Sequence, residues 1–125
     1  MKTLLVATII FNLGYTTLAA QDFDKGQRAY NSGNYVSALT EWRILAEEGN
    51  ALAQGNIGFM YVTGKGVLQS NIRSHMWFNI ASANGSEIGR GYRNKIAQKM
   101  TSADISLAQK MAKECMDSNY KKCGW

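Results

Sequence analysis

Apolar positions recur at helical spacing along most of the chain, in short stretches that tend to end at a glycine. From Asn34 to Glu48, Ala38, Trp42, Leu45 and Ala46 form one stripe, and Gly49 ends it. The next stretch, Asn50 to Tyr61, places Ala53, Ile57, Met60 and Tyr61 on one face of a helix capped by Asn50. Gly58 lies beside that stripe. A mid-helix glycine costs about 1 kcal/mol against alanine, and the benefit expected here is close approach of a neighbouring helix. A further helix is predicted from about Ser70 to Asn84, with Ser74, Trp77, Phe78 and Ala81 inward and Gly85 as terminator. Beyond it Ile88, Tyr92, Ile96 and Met100 recur at steps of four and predict another buried stripe. Thr101 and Asp104 then resemble a capping box for a last helix that buries Ile105, Ala108, Ala112 and Cys115.

Shifting the chain against itself by 36 residues matches Asn34 to Ser70, Val36 to Ile72, Trp42 to Phe78, Ile44 to Ile80 and Gly49 to Gly85. This is an internal repeat. With a short first helix from about Phe23 to Ser32, the pattern predicts an all-α fold, an α-solenoid of about three antiparallel helix pairs. Three pairs is about the minimum for a stable stack, because each pair buries its apolar face only against its neighbours. The chain contains no proline, and its frequent glycines between the periodic stretches point to short helices separated by glycine-dependent turns.

The first residues read differently. Met1 and Lys2 precede an apolar run from Leu4 to Leu13, and Thr17-Leu18-Ala19-Ala20 supplies the small residues of a cleavage site. The run is about half of the roughly 20 residues needed to cross a bilayer. Residues 1–20 are therefore expected to be a signal peptide cut after Ala20, and residues 21–125 one helical domain, exported to a periplasm or secreted, with no membrane insertion after cleavage. Charge refines the picture modestly. From Asp22 to Ser86 five acidic residues balance five basic ones, whereas from Glu87 to Trp125 eight basic residues face four acidic ones. An excess of this size is ordinarily a solvated surface.

Little in the chain points to catalysis. Cys115 and Cys123 are the only cysteines, and an oxidising compartment favours a disulfide between them. Eight residues of continuous helix would hold their alpha carbons about 12 Å apart, against the less than about 7 Å a disulfide needs, so the helix must stop between them. Asn119 is the expected left-handed terminator, and the result is a disulfide-capped last helix. Gly64-Lys65-Gly66-Val67 lacks the Lys-Ser/Thr ending and preceding strand of a phosphate loop, so its glycines read as turn residues. His75 is the sole histidine, too few for a zinc site or for a nucleophile with an oriented base. The adjacent Glu47 and Glu48 point about 100° apart on a helix and make no acid-base pair. No catalytic residue, metal or cofactor is expected, and no nucleic-acid partner.

The run from Ala53 to Gly85, AQGNIGFMYVTGKGVLQSNIRSHMWFNIASANG, resembles the Sel-one-like repeat family, relatives of the tetratricopeptide repeats. Ile57, Gly58, Met60 and Tyr61 meet its Leu-Gly-x-Met-Tyr ending, Gly64, Gly66 and Val67 its Gly-x-Gly-Val loop, and Trp77, Phe78, Ala81 and Ser82 its aromatic pair with small residues following. The segment from Ala29 to Asn50 is similar to a shorter-looped tetratricopeptide unit, and Met100 to Cys123 to the closing helix of small exported members. Gly55 and Asn71 depart from the pattern, standing where a larger residue and an aromatic are usual, and are expected to thin the core of the middle repeat.

The resemblance implies a right-handed superhelix whose concave face, lined by the first helix of each pair, binds protein segments. On that geometry Gln54, Asn56, Arg90, Arg93 and Asn94 are the expected contacts, and the partner is an envelope or extracellular protein or peptide. The alternative is an acidic polymer or anionic surface bound through Arg90, Arg93, Lys95, Lys99, Lys110, Lys113, Lys121 and Lys122. A small hydrolase dependent on His75 comes third. Fold alone does not choose among them.

Overall fold

The computed structural model of the protein describes residues 22–125. The expected signal peptide, residues 1–20, lies outside them. Among the described residues the chain is all-helical: α1 (residues 22–31), α2 (Tyr35–Glu47), α3 (Ala51–Thr63), α4 (Asn71–Ala83), α5 (Glu87–Ala97) and α6 (Ser102–Asp117). Consecutive helices α2 to α5 pack against one another, an arrangement compatible with a helical repeat array. None of the described helices is long and apolar enough to cross a membrane.

Side chains fix four helix starts, at the predicted caps Asn50 and Thr101 and also at Ser70 and Ser86. Asn50 accepts from the Ala53 amide at 3.0 Å, Ser70 from Arg73 at 3.1 Å, Ser86 from Gly89 at 2.9 Å and Thr101 from Asp104 at 3.1 Å. Each bond satisfies one of the amide donors that a helix start leaves orphaned. Asn34 is the exception, since its side chain makes no capping bond.

Two glycine-to-ring contacts are alike. An alanine methyl at Gly26 of α1 would stand 2.5 Å from the Trp42 ring, and one at Gly58 of α3 would stand 3.0 Å from the Phe78 ring. Trp42 and Phe78 are equivalent under the 36-residue shift, so in each unit a glycine on the first helix admits a large ring from the second. Ser74 of α4 tightens the second approach by donating to the Gly58 carbonyl at 2.8 Å. Gly55, by contrast, faces open space, so the expected thinning of the core does not occur there. Asn71 begins α4 half-buried, at a groove edge.

The core centres on Trp42, Ile57, Met60, Met76, Trp77 and Ile80. α4 is buried almost all round, because α3, α5 and α6 all pack on it. His75, Met76 and Ile80 therefore join the predicted Ser74, Trp77, Phe78 and Ala81 inside. A single-stripe pattern underestimates such a helix.

Two expectations for the last third need correction. On α5 the stripe Ile88-Tyr92-Ile96-Met100 is not buried as a whole. Ile96 is inside, but Ile88 is 65% exposed, Tyr92 is 38% exposed, and Met100 lies past the helix end. Among the described residues α5 has one strong helical neighbour, α4, where an interior helix has two or three. On the last helix the predicted stripe is also only partly inside: α6 packs chiefly on α4 and not on α5, burying Ala108, Ala112 and Cys115 and leaving Ile105 half-buried.

After α6 the chain turns sharply through Asn119 (φ 54°) and Tyr120 (φ 63°), and the Tyr120 amide donates back to the Cys115 carbonyl at 2.8 Å. This helix-ending bond brings Cys123 to Cys115, whose disulfide has alpha carbons 4.4 Å apart. Asn119 was predicted as the left-handed terminator, and Tyr120 shares the task. The tail then docks on the second helices. Arg73 donates to the Gly124 carbonyl, the Trp125 ring lies 4.8 Å from that of Trp77, and the Arg43 guanidinium sits 4.6 Å from the Trp125 ring.

Candidate functional site

The first helices of the pairs, α1, α3 and α5, share a face bearing two adjoining grooves. The smaller, about 200 Å³, lies between α1 and α3. Tyr30 and Trp42 supply its aromatic surface, with Gln27, Asn56 and Thr63 as polar groups. The larger, about 400 Å³, lies between α3 and α5. Phe59, Val62, Tyr92 and Ile96 give it apolar walls, and Gln69, Asn71, Lys95 and Lys99 are its polar lining. Phe59 lines both grooves and forms the ridge between them.

An aromatic cluster makes the larger groove rigid. Phe78 is fully buried beneath it. The Phe59 ring meets Phe78 edge-on at 4.9 Å and Tyr92 edge-on at 4.5 Å, while Tyr92 stacks on Phe78 at 5.5 Å. Each geometry is favourable for the ring quadrupoles. Two rings are thus held at a solvent-facing surface by a third inside. Leu52 and Ile88, one or two turns back on the same stripes of α3 and α5, are 66% and 65% exposed and extend the apolar character of this face.

The five expected contact residues do not form one site. Gln54 is fully buried. Its Nε2 donates to the Ala46 carbonyl at 3.0 Å and its Oε1 accepts from Asn84 at 2.9 Å, while Asn84 also donates to the Tyr120 hydroxyl at 3.0 Å. Gln54 therefore ties the end of α2 to the end of α4 and, through Asn84, to the tail, and it cannot reach a ligand. Asn56 is half-buried and lines the smaller groove, as expected. Arg90 and Asn94 lie about 160° around α5 from Tyr92 and line neither groove. Arg90 pairs with Glu87 at 2.6 Å. Arg93 points to α4, donating to Asn79 at 3.0 Å and to Asn94 at 3.1 Å.

For the peptide reading, sequence reasoning selected the charged side of α5 and not its groove side, where Tyr92, Lys95 and, just past the helix end, Lys99 stand; the two lysines entered only as contacts for an anionic surface. A usable signal existed. Leu52, Phe59 and Val62 recur at steps of seven and three, a second apolar stripe on α3 beside the core stripe.

Elsewhere, basic residues of the last third are partly neutralised locally, Lys110 pairing with Glu114 at 3.9 Å and Lys113 with Asp117 at 2.5 Å. His75 is buried under α5, and among the described residues its Nδ1 has no hydrogen-bond partner. Burial and the nearby Arg93 charge hold its pKa below the ordinary histidine value. Among the described residues no three His, Cys, Asp or Glu side chains converge as a metal site would require. No protein-family model matches the chain, and no curated protein matches it.

Proposed function

We propose that the protein is an exported interaction module, related to the Sel-one-like repeats, that holds a segment of another envelope or extracellular protein in the groove face of α1, α3 and α5. The observation that carries this reading is the Phe59-Tyr92-Phe78 cluster, which presents two large rings to solvent beside a groove of about 400 Å³. Rigid aromatic anchors flanked by polar groups are what peptide-binding surfaces offer, because they bury area at small cost in conformational entropy. Asn56 and Gln27 in the adjoining groove add amide donors and acceptors suited to an extended backbone. The Cys115–Cys123 disulfide supports an oxidising compartment, and hence export, with residues 1–20 as the signal.

Binding of an acidic polymer through the whole basic last third is the weaker reading, since Arg90, Lys110 and Lys113 each already face a carboxylate. The hydrolase reading gains nothing from His75, which is buried and, among the described residues, bonded to no carboxylate.

The test is capture from envelope extract by the mature, oxidised protein, in parallel with Phe59→Ala, Asn56→Ala and the double variant Lys121→Gln/Lys122→Gln. A protein retained by wild type and by the lysine variant but lost from both groove variants supports the reading. Partners kept by the groove variants and lost from the lysine variant would replace it with the polymer reading.

A further inference from the structure

The border of the larger groove carries an imbalance. Lys95 lies in the last turn of α5 and Lys99 in the turn that follows the helix, and both line the groove. Among the described residues neither takes part in an ion pair, although five other basic residues do. No Asp or Glu among the described residues lines either groove. The Lys95 ammonium instead sits 5.8 Å from the centre of the Tyr92 ring, which fixes its position over the aromatic wall. Two cations thus stand beside an apolar cleft with no internal counter-charge.

We infer that the segment bound in this groove is an acidic peptide, with an apolar side chain seated between Phe59, Val62 and Tyr92 and carboxylates reaching Lys95 and Lys99. The inference rests on the interaction-module reading and names the chemistry of its partner. Spacing sharpens it. Past the end of α5 the Lys99 amide donates to the Ile96 carbonyl at 2.9 Å, so the chain winds on and leaves Lys99 about one helical turn, roughly 6 Å, beyond Lys95. In an extended peptide, side chains two residues apart fall on the same side about 6.6–6.8 Å apart. A segment running along α5 therefore meets both lysines with two acidic residues separated by one position, and presents its apolar anchor beside them towards α3. Charge complementarity of this kind contributes specificity and association rate, while the rings contribute the buried area. A polyanion without apolar groups would leave the Phe59-Tyr92 wall uncovered, which disfavours it as the occupant.

The experiment uses the mature, oxidised protein and three fluorescein-labelled probes, followed by anisotropy. The first is a peptide pool of pattern acidic-x-acidic flanked by leucine or phenylalanine. The second is the same pool with Gln and Asn in place of Glu and Asp, and the third is poly-glutamate without apolar residues. The inference expects the acidic pool to bind at least about tenfold more tightly than the neutral pool. It expects Lys95→Gln/Lys99→Gln to remove about tenfold of that affinity and Lys121→Gln/Lys122→Gln to leave it unchanged. Phe59→Ala should weaken both pools. Equal binding of the acidic and neutral pools, sensitive to Phe59→Ala, overturns the acidic inference while the groove reading stands. Poly-glutamate binding as tightly as the acidic pool and insensitive to Phe59→Ala overturns both, as does failure of every pool to bind.

Discussion

The Phe59 ring stands edge-on to that of Tyr92 with 4.5 Å between centroids, and both lean on Phe78 in the core. This one contact joins α3 to α5 and puts a rigid aromatic corner at the surface. Tyr92 is 38% exposed, so its removal costs the fold less than it costs the groove. For Tyr92→Ala we expect a loss of about 1 kcal/mol of stability by urea denaturation, the scale of an aromatic pair. Capture of the partner should fall far more. A variant that binds normally would take Tyr92 out of the site.

Two glycines on α3 separate close approach from ordinary helix propensity. Gly58→Ala would press a methyl to 3.0 Å from the Phe78 ring, and we expect destabilisation of about 1–3 kcal/mol. Gly55→Ala meets nothing within 4 Å, and we expect stabilisation of about 0.5–1 kcal/mol from helix propensity and a less flexible unfolded chain. Denaturation midpoints of the two variants should shift in opposite directions.

Much of this arrangement was legible beforehand. The helix count, the caps at Asn50 and Thr101, the close approach at Gly58 and the pairing of Cys115 with Cys123 follow from local rules, because caps, turns and glycines act within a few residues. What the sequence hid depends on neighbours distant in the chain. Gln54 reads as a polar surface residue until α2 and α4 are seen to converge on it, and His75 is buried on a helix against which α3, α5 and α6 all pack. Tyr92 and Ile88 read as core because their spacing suits burial, but among the described residues no further helix covers them. The groove is made of that uncovered stripe, which is why the sequence pointed to Arg90 and Asn94 on the other side of the same helix.

Opening the disulfide should release the tail. In the chain-entropy view, closing a loop of this size contributes about 2.6 kcal/mol. Cys115→Ala/Cys123→Ala should lose roughly that amount. It should also free Trp125 from its place 4.8 Å from Trp77, which tryptophan emission would report as a red shift. Unchanged emission in the reduced protein would mean that Arg73, Arg43 and Tyr120 hold the tail unaided.

His75 gives stability a definite pH dependence. Its pKa in the folded protein lies below the ordinary 6.5, through burial first and the Arg93 charge second. The unfolded chain therefore takes up a proton before the folded one as pH falls. The stability it confers is fully present above about pH 6.5 and declines as pH falls from there towards the folded value. His75→Gln should flatten this part of the stability profile relative to wild type. Parallel profiles for the two proteins would show that the imidazole titrates freely.

The most direct test of the groove reading is positional. A photo-crosslinking side chain is placed at Thr63 or Lys99, which line the two grooves, or at Ile44 or Leu107, which are exposed on α2 and α6. Each mature, oxidised protein is irradiated in envelope extract. The account predicts a discrete protein adduct from positions 63 and 99, suppressed by Phe59→Ala and absent from positions 44 and 107. Adducts confined to 44 and 107, or equal at all four, would contradict it and move the binding surface away from α1, α3 and α5.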